Sequence, residues 1–217
     1  LRLVCQALGR EQDDPRRRPA VYLQSTVSRA ALEGSVLATG QAFPGEMSRA
    51  HGGMLVMDEF LEFRRDVLEC LRQPMEEGLI RLQRARFRAE LPARFQLIAT
   101  ANLCPCGAWM GRRGNSCRCT DAALQGYQRR LSGPLVDRFS LMVTMGIGVA
   151  PVPIPSAFDQ AARWESMVAG ARELLTRVDP RAVPPHLDTG GDLSRRGAGS
   201  LYRVALAVAA LQGRSGI

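Results

Sequence analysis

At 217 residues, the chain is long enough to bury a sizeable core, either as one large domain or as a domain with a small lid. No apolar run approaches the roughly 18–20 residues of a membrane span, and no signal peptide opens the chain. These observations exclude the membrane classes and predict a cytoplasmic protein without a membrane partner. The formal net charge is +8, which favours an anionic partner such as nucleic acid or a nucleotide.

The basic residues are all arginine, because the chain contains no lysine. A phosphate-binding P-loop has the pattern Gly-x-x-x-x-Gly-Lys-Ser/Thr, so this chain cannot contain one. The first residue is Leu1 rather than Met. We therefore expect the chain to be a fragment of a longer protein.

The chain is organised around the stretch from Gly52 to Phe60, in which two glycines lead into an apolar run that ends in two adjacent carboxylates. This run predicts a buried strand, preceded by a turn and a short helix that begin at Pro44. Asp58 and Glu59 then lie at its C-terminal end, where open α/β sheets bind their ligands. The first carboxylate suits Mg²⁺, and the second can polarise a water that attacks a γ-phosphate. Two solvated acids at a strand end are the alternative.

After this strand, the sequence predicts a helix and then a β-hairpin. Residues 65–72 place three apolar side chains on one helical face, and Pro74 interrupts the helix. Residues 79–92 alternate between apolar and basic side chains, which is typical of a hairpin with an arginine-rich face. Contact with nucleic acid and a merely solvated basic face both fit this pattern. The arginines of the hairpin are Arg81, Arg84, Arg86 and Arg88.

Residues 95–102 form another apolar run, and it ends in the amide Asn102. The run predicts a second buried strand. An amide at the tip of a strand beside the carboxylates can orient the attacking water or contact the γ-phosphate. By itself, Asn102 would be an ordinary residue of a turn at a strand end.

Taken in order, these motifs resemble the magnesium-chelatase-related AAA+ ATPases, and in particular the ComM (YifB) competence-protein family. The resemblance is strong over residues 44–145 and weak over residues 180–212. The stretches that carry it are 45–59, 71–78, 92–102, 104–107 and 131–139. The family's usual His-His pair after its Arg-Pro element is absent here, where Val21-Tyr22-Leu23-Gln24 stands.

The resemblance implies roles for individual residues. Asp58 and Glu59 correspond to Walker B, which binds Mg²⁺ and activates water in the ATP site, and Asn102 corresponds to sensor 1. Arg138 corresponds to the arginine finger, which in a ring of subunits reaches the ATP of the neighbour and stabilises transition-state charge. Arg196 corresponds to sensor 2 in a helical lid.

The cysteines give an independent signal. Cys104-x-Cys106 and Cys117-x-Cys119 form two tight pairs separated by a loop rich in glycine and arginine. Four thiolates match the tetrahedral coordination of Zn²⁺, and several ComM relatives carry four cysteines in similar positions. The zinc would be structural, because no open ligand position or nearby base indicates catalysis. Disulfides are the alternative, although a chain without a secretion signal argues against them. The other two cysteines, Cys5 and Cys70, are expected to be free core thiols.

The C-terminal part of the sequence predicts a helix at 120–130 and a core strand at 142–145. The proline-rich linker at 149–155 then separates a first domain, 1–150, from a second one, 151–217. Two amphipathic helices in the second domain, predicted at 156–177 and 194–211, form the predicted lid.

The predicted fold class is α/β: a P-loop-type AAA+ core with a parallel sheet flanked by helices, incomplete at its N-terminus, with a small α-helical lid and a four-cysteine zinc-binding loop. The resemblance implies ATP, Mg²⁺ and structural Zn²⁺ as cofactors. It also implies single-stranded or branched DNA as a partner, and a homo-hexamer for the longer protein. The hairpin at 79–91 corresponds to the presensor-1 insertion, which resembles pore hairpins that contact DNA in related hexamers.

The implied activity is ATP-driven remodelling or translocation of DNA, as in branch migration during natural transformation and recombination. This chain alone is expected to be inactive as an ATPase because it lacks the P-loop. Two alternatives stay open. One is a nucleotide-free, zinc-stabilised DNA-binding module, and the other is a chelatase-type motor subunit that acts on a protein partner.

Overall fold

The computed structural model describes residues 18–84, 86–108 and 117–143, together with residues 202, 204–209 and 211. The chain divides into two compact units, residues 1–138 and 139–217. In the second unit, residues 204–209 have helical backbone, as predicted for this stretch. The predicted domain boundary after residue 150 lies outside the described residues and stays a prediction.

The described part of the chain alternates short strands and short helices. The strands are β1 (Ala20–Leu23), β2 (Gly34–Val36), β3 (Ala42–Pro44), β4 (Met54–Met57), β5 (Leu79–Arg84), β6 (Phe87–Pro92) and β7 (Gln96–Ala99). The helices are α1 (Arg29–Glu33), α2 (Glu46–Arg49), α3 (Arg65–Cys70), α4 (Arg72–Glu77), α5 (Asp121–Gln128) and α6 (Gly133–Val136), and a 3₁₀ turn spans Phe60–Glu62. None of the helices in the described residues has the length and apolar character needed to cross a membrane.

A parallel three-stranded sheet in the order β1-β4-β7 forms the centre of the first unit. All four side chains of β4 are buried, as predicted, since the strand pairs with β1 on one side and β7 on the other. Burial of each such side chain stabilises the fold by roughly 1.5–3 kcal/mol. Met57 lies opposite both Leu23 and Ala99, so the three strands end at the same level. The predicted parallel α/β sheet is confirmed.

Two glycines deliver the chain into β4. Gly52 has a φ of +75°, a conformation that side chains with a Cβ atom rarely adopt. A Cβ atom at Gly53 would lie 1.9 Å from the carbonyl oxygen of Pro19, which accepts a hydrogen bond from the Met54 N–H at 2.8 Å. The second glycine is therefore required for β4 to approach the chain that leads into β1.

Two helices follow the end of β4. α3 buries Val67 and Leu68 on the predicted apolar face, and Leu71 just after it is also buried. Pro74 does not simply end the helical stretch: it lies in the first turn of a second helix, α4, where the missing N–H breaks no helical hydrogen bond. Gly78, with a φ of +73°, then ends α4.

The predicted hairpin is confirmed as the antiparallel pair β5–β6. It packs against a second hairpin, β2–β3, which was not predicted from the sequence. The guanidinium Nη1 of Arg84 donates to the carbonyl oxygen of Val36 at 3.0 Å. Gly40, in the turn of the second hairpin, lies so close to the ring of Phe87 that a Cβ atom there would be 2.6 Å from Cε1. The two hairpins therefore support each other.

The segment 21–43 has no strong periodicity, yet it contains β1, α1, β2 and β3, because elements of this length are too short to show a period. The helix predicted at 120–130 is confirmed as α5. The strand predicted at 142–145 is not formed at Met142 and Val143, which are exposed and have no strand partner in the described residues. The remainder of that prediction, the linker and the first lid helix lie outside the described residues.

Candidate functional site

Two polar strand ends meet at the carboxyl edge of the parallel sheet. Asp58 and Glu59 follow β4 directly, while Thr100 and then Asn102 follow β7. Since the last residues of the two strands are in register, both ends leave the sheet at the same level. The side chains of Asp58, Glu59 and Asn102 are exposed. The topology thus brings the predicted Walker B carboxylates and the predicted sensor 1 amide to the edge where open α/β sheets bind ligands.

Thr100 joins the two strand ends with all of its polar groups. Its N–H donates to the carbonyl oxygen of Met57 at 3.1 Å, and its carbonyl oxygen accepts from the Phe60 N–H at 2.7 Å. Its hydroxyl accepts from the Glu59 N–H at 3.1 Å and donates to the carboxylate of Asp58. This residue was not predicted as part of the site. The signal that could have found it is its place opposite Asp58 once β4 and β7 are paired in parallel.

Glu59 has a left-handed backbone, with φ 53° and ψ 48°. It is the only residue other than glycine with a positive φ in the described part of the chain. Such a conformation costs a residue with a Cβ atom about 1–2 kcal/mol, and it persists only where surrounding contacts hold it. The hydrogen bonds from the N–H groups of Glu59 and Phe60 to Thr100 provide that support.

The exposed carboxylate of Asp58 fits a magnesium site of the kind used for nucleotides. Mg²⁺ keeps several waters and is usually bound through one or two carboxylates together with substrate phosphates. One oxygen of Asp58 accepts from the Thr100 hydroxyl, and the second has no hydrogen-bond partner among the described residues. This second oxygen of Asp58 is therefore free to take up a cation.

The four predicted zinc ligands converge in the loop that follows β7. The Sγ atoms of Cys104, Cys106, Cys117 and Cys119 all lie within 4.8 Å of one another. Individual Sγ–Sγ distances are 3.3, 3.6 and 3.7 Å. Zn–S bonds of about 2.3 Å in a tetrahedron place the sulfur atoms about 3.8 Å apart. The geometry of the cluster fits a four-thiolate zinc site.

None of the four cysteines of the cluster forms a disulfide in the structure. The thiols of the cluster differ in acidity. A backbone hydrogen bond from Cys119 lowers the pKa of the Cys117 thiol, but burial and the neighbouring thiols outweigh it and raise that pKa to about 12, while the Cys106 thiol raises the pKa of Cys119. The N–H of Ala108, and after it the thiol of Cys104, stabilise the Cys106 thiolate and lower its pKa to about 6. The thiolate is the form that binds metal. Outside the cluster, burial raises the pKa of the Cys70 thiol to about 12, as expected for an inert core cysteine.

The cysteine loop connects with the strand ends on two sides. Gly107, with a φ of +72°, lies beside the sensor 1 candidate: a Cβ atom there would be 3.9 Å from Cγ of Asn102. The last cysteine is followed by Thr120, whose hydroxyl caps the N-terminus of α5. Just after α5, Arg130 donates to the carbonyl oxygen of Leu61 at 2.6 Å. This oxygen belongs to the 3₁₀ turn that follows the carboxylates.

Arg138, the arginine finger candidate, lies at a different place in the first unit. Its Nε donates to the carbonyl oxygen of Arg72 at 3.1 Å, and its other nitrogens bond to the carbonyl oxygen of Pro134 and the carboxylate of Glu76. Its side chain is only 10% exposed. The guanidinium thus ties α6 to α4 within the subunit. Arg196, the sensor 2 candidate, lies outside the described residues.

Two of the four hairpin arginines are engaged within the chain. Arg81 forms ion pairs with Glu77 and, at 3.1 Å, with Glu90, its cross-strand partner. Arg84 is bonded to the backbone of β2. These contacts offset the charge of the first arginine and fix the position of the second.

The other two arginines of the hairpin are freer. The guanidinium of Arg86 lies 5.7 Å from the centre of the Phe87 ring, at the tip of the hairpin. Arg88 is exposed and forms neither an ion pair nor a side-chain hydrogen bond within the described residues. These two residues leave their N–H donors available for an anionic partner.

Comparison with known proteins identifies the family of the chain. A family model described as magnesium chelatase, subunit ChlI, matches residues 3–149, more than half of the chain. The uncharacterized protein YifB of Salmonella typhimurium is 45% identical over 133 residues. The competence protein ComM of Haemophilus influenzae is 45% identical over 135 residues. The chain belongs to the magnesium-chelatase-related family of ComM and YifB.

These matches cover 61% and 62% of this chain, but only 25% of each of the two relatives. The uncharacterized protein Rv2897c of Mycobacterium tuberculosis is 39% identical over 181 residues, which is 83% of this chain and 35% of that protein. The chain therefore spans about a quarter to a third of the length of the curated relatives it matches. Within this ComM/YifB family member, the strand ends, the cysteine loop and Arg138 all lie inside the matched region.

Proposed function

We propose that this chain supplies the magnesium-binding, water-activating and sensing side of the ATP site in a ComM-type AAA+ ATPase. The observation that carries this proposal is the meeting of Asp58, Glu59 and Asn102 at the carboxyl edge of the parallel sheet. Membership of the magnesium-chelatase-related family supports it. In the longer protein, ATP hydrolysis would drive remodelling or translocation of DNA by a ring of subunits.

The proposed roles follow from the position and chemistry of each side chain. Asp58 would bind Mg²⁺ through its second carboxylate oxygen, and the bound cation would neutralise charge on the phosphates. Glu59 would polarise the attacking water as a general base. Asn102, exposed on the neighbouring strand end, would orient that water or contact the γ-phosphate.

The phosphate cradle has to come from sequence outside this chain. A P-loop holds phosphates with a row of backbone N–H groups and a lysine, and this chain has no lysine. Catalysis of phosphoryl transfer depends mainly on positioning and electrostatics. We therefore expect the chain alone neither to bind nor to hydrolyse ATP appreciably.

ATPase assays on two versions of the protein test this proposal. The chain alone should be inactive, whereas a version extended upstream through a P-loop should bind and hydrolyse ATP. In the extended version, Glu59→Gln should abolish turnover while sparing ATP binding, because only the water-activating carboxylate is lost. Glu62→Gln, at an exposed carboxylate of the same turn, is the matched control and should keep activity. ATPase activity in the unextended chain that is abolished by Asp58→Ala would refute the expected need for a P-loop.

We further propose that the cysteine cluster binds one structural Zn²⁺. The four sulfur atoms already lie at the spacing of a tetrahedral site. Four thiolates fill the coordination of zinc, so the ion would stabilise the loop and leave no position for a substrate. The bound Zn²⁺ would fix the position of the chain between Asn102 and α5.

DNA is the proposed partner because the β5–β6 hairpin carries two exposed arginines, Arg86 and Arg88, that form no ion pair in the described part of the chain. Arg86 and Arg88 leave their donors free, and phosphate contacts by such residues give affinity without sequence preference. The net charge of +8 adds a favourable long-range term. A relative at 45% identity carries the name competence protein. The chelatase-type motor acting on a protein partner would use the same ATP machinery, but it gives no reason for an arginine-rich hairpin.

A second candidate function is a nucleotide-free DNA-binding module stabilised by zinc. It is favoured by one contrast: the four cysteines and both strands of the hairpin are present in the described residues, while the chain has no lysine for a P-loop. The ATPase assay on the extended version separates the two candidates. Turnover that depends on Glu59 supports the ATPase, and its absence together with salt-sensitive DNA binding supports the module.

A further inference from the structure

Thr100 is the residue through which the ends of β4 and β7 are joined. The Asp58 carboxylate, the Glu59 N–H and the Phe60 N–H all bond to it. Its own N–H donates to the carbonyl oxygen of Met57 at 3.1 Å. In the described part of the chain, no other side chain bonds to the Asp58 carboxylate. One threonine therefore contacts four consecutive residues, from Met57 at the end of β4 to Phe60 at the start of the 3₁₀ turn.

The hydroxyl of Thr100 acts on both carboxylate residues at once. As an acceptor at 3.1 Å from the Glu59 nitrogen, it helps to hold the left-handed backbone that sets the direction of the Glu59 side chain. As a donor, it restricts rotation of the Asp58 carboxylate and leaves the second oxygen for a ligand. Groups that are fixed in advance need not be ordered when the ligand binds or when the reaction occurs.

We propose that Thr100 is the positioning residue of the acidic pair, which orients Asp58 toward the cation and Glu59 toward the attacking water. This inference rests on the proposed ATP site and adds a residue to it. Thr100 itself touches neither the nucleotide nor the water, and it acts through the two carboxylate residues. Its role differs from that of a simple strand-end residue, because it depends on the hydroxyl and not on the backbone or the packing.

Three variants separate the hydroxyl from the rest of the residue. Thr100→Val has nearly the shape of threonine and keeps both backbone hydrogen bonds, but it loses the two side-chain bonds. Thr100→Ser keeps the hydroxyl and is the rescue variant. Thr39→Val, in the turn between β2 and β3, is the matched control for loss of a threonine hydroxyl away from the site. Far-UV circular dichroism and a cooperative thermal transition check that each variant is folded.

The first measurement uses the 217-residue chain and needs no nucleotide. Mn²⁺, a paramagnetic cation that takes carboxylate ligands, is titrated while the NMR signals of the amides at 58–60 are followed. We expect Thr100→Val to need roughly tenfold more Mn²⁺ for the same broadening, and its Glu59 amide to exchange roughly tenfold faster. Thr100→Ser and Thr39→Val should stay within about twofold of the parent.

The second measurement is ATP turnover in the extended version that contains a P-loop. Thr100→Val should lower kcat roughly tenfold and leave KM for ATP within about twofold, since the P-loop holds the phosphates. Thr100→Ser should restore kcat. Parent-like turnover in Thr100→Val would overturn the positioning role.

The two measurements distinguish failure of this inference from failure of the proposed function. A parent without turnover whose Mn²⁺ binding still depends on the Thr100 hydroxyl would contradict the ATPase and support the positioning role. A Thr100→Val chain that binds Mn²⁺ and exchanges the Glu59 amide like the parent would overturn the positioning role, whatever the turnover.

Discussion

The charged side chains at the strand ends and the side chain of Arg138 differ in exposure and in the number of bonds that they form within the chain. Asp58 and Glu59 are exposed, and their carboxylates retain free oxygen atoms within the described residues. Arg138 is 10% exposed and directs its guanidinium at three oxygen acceptors of its own chain. Both sites contain motifs that carry the family resemblance. The comparison teaches that a motif identifies a side chain, while the contacts of that side chain decide whether it is available to a ligand.

The hairpin shows the same contrast within one element. Arg81 is paired with two carboxylates, whereas Arg88 on the opposite strand has no such partner among the described residues. The side chains of Arg81 and Arg88 lie on the same face of the hairpin. The cross-strand partner of Arg88 is Gln83, which lies two residues after Arg81 on β5 and therefore points to the same side. Arg81 and Arg88 carry the same charge, so a count of charges would not distinguish their availability to an anionic partner.

The largest effect is expected from mutating the cysteine cluster. The loop that carries it lies against Asn102 and so supports the ends of β4 and β7. Cys104 is fully buried, and Cys104→Ser should lose the metal and destabilise the chain by several kcal/mol, because metal-binding free energy is also folding free energy. Elemental analysis and thermal unfolding measure the two effects. Protein purified without chelators should carry about one zinc per chain.

Cys70→Ala is the matched control for loss of a buried cysteine outside the cluster. It should keep the full zinc content, and its stability should fall only by the cost of a small cavity. An absence of metal in the parent, together with four freely reactive thiols in the cluster, would contradict the zinc site.

A smaller effect is expected at Arg138. Because its guanidinium bonds to three acceptors of its own chain, Arg138→Ala should lower the free energy of unfolding by about 1–3 kcal/mol. Arg129→Ala, at an exposed arginine after α5, should change it by less than about 0.5 kcal/mol. Chemical denaturation measures both, and a double-mutant cycle with Glu76→Ala isolates the ion pair. Equal stabilities of the two arginine variants would remove the contrast with the strand ends.

The smallest effect is expected on the hairpin, where the contrast between free and paired arginines is tested by DNA binding. Replacing Arg86 and Arg88 together with Ala should weaken binding to a single-stranded oligonucleotide and lower the salt slope by about 1.4, or about 0.7 for each phosphate contact. Arg81→Ala should change the slope less, since two carboxylates already offset its charge. Fluorescence anisotropy at several salt concentrations measures the slopes. Equal slopes in the double variant and the parent would exclude the hairpin as the contact.

The sequence predicts the elements whose signal is local. β4 is a short apolar run led in by glycines, and the β5–β6 hairpin alternates regularly, so both could be located before the structure was known. The cysteine cluster could also be predicted, because two closely spaced pairs on either side of a loop need little knowledge of the fold to converge.

The sequence does not predict the contacts that depend on distant pairing. The Thr100 hydroxyl meets Asp58 across 42 residues of sequence, and Arg138 meets Glu76 across 62. The first contact follows from the parallel register of β4 and β7, and the second from the packing of α6 on α4. No local pattern encodes either arrangement, so Thr100 was missed and the intrachain partners of Arg138 were not foreseen.

The left-handed backbone at Glu59 has a consequence for protein engineering. At such a position glycine or asparagine is the residue that backbone energetics favour, by about 1 kcal/mol or more over glutamate. A redesign that optimises thermal stability would therefore replace Glu59 early and count the change as an improvement. The variant would be more stable, but it would lack the carboxylate that we propose activates the attacking water. Any stabilised version of this chain should keep position 59 fixed and seek its gains elsewhere.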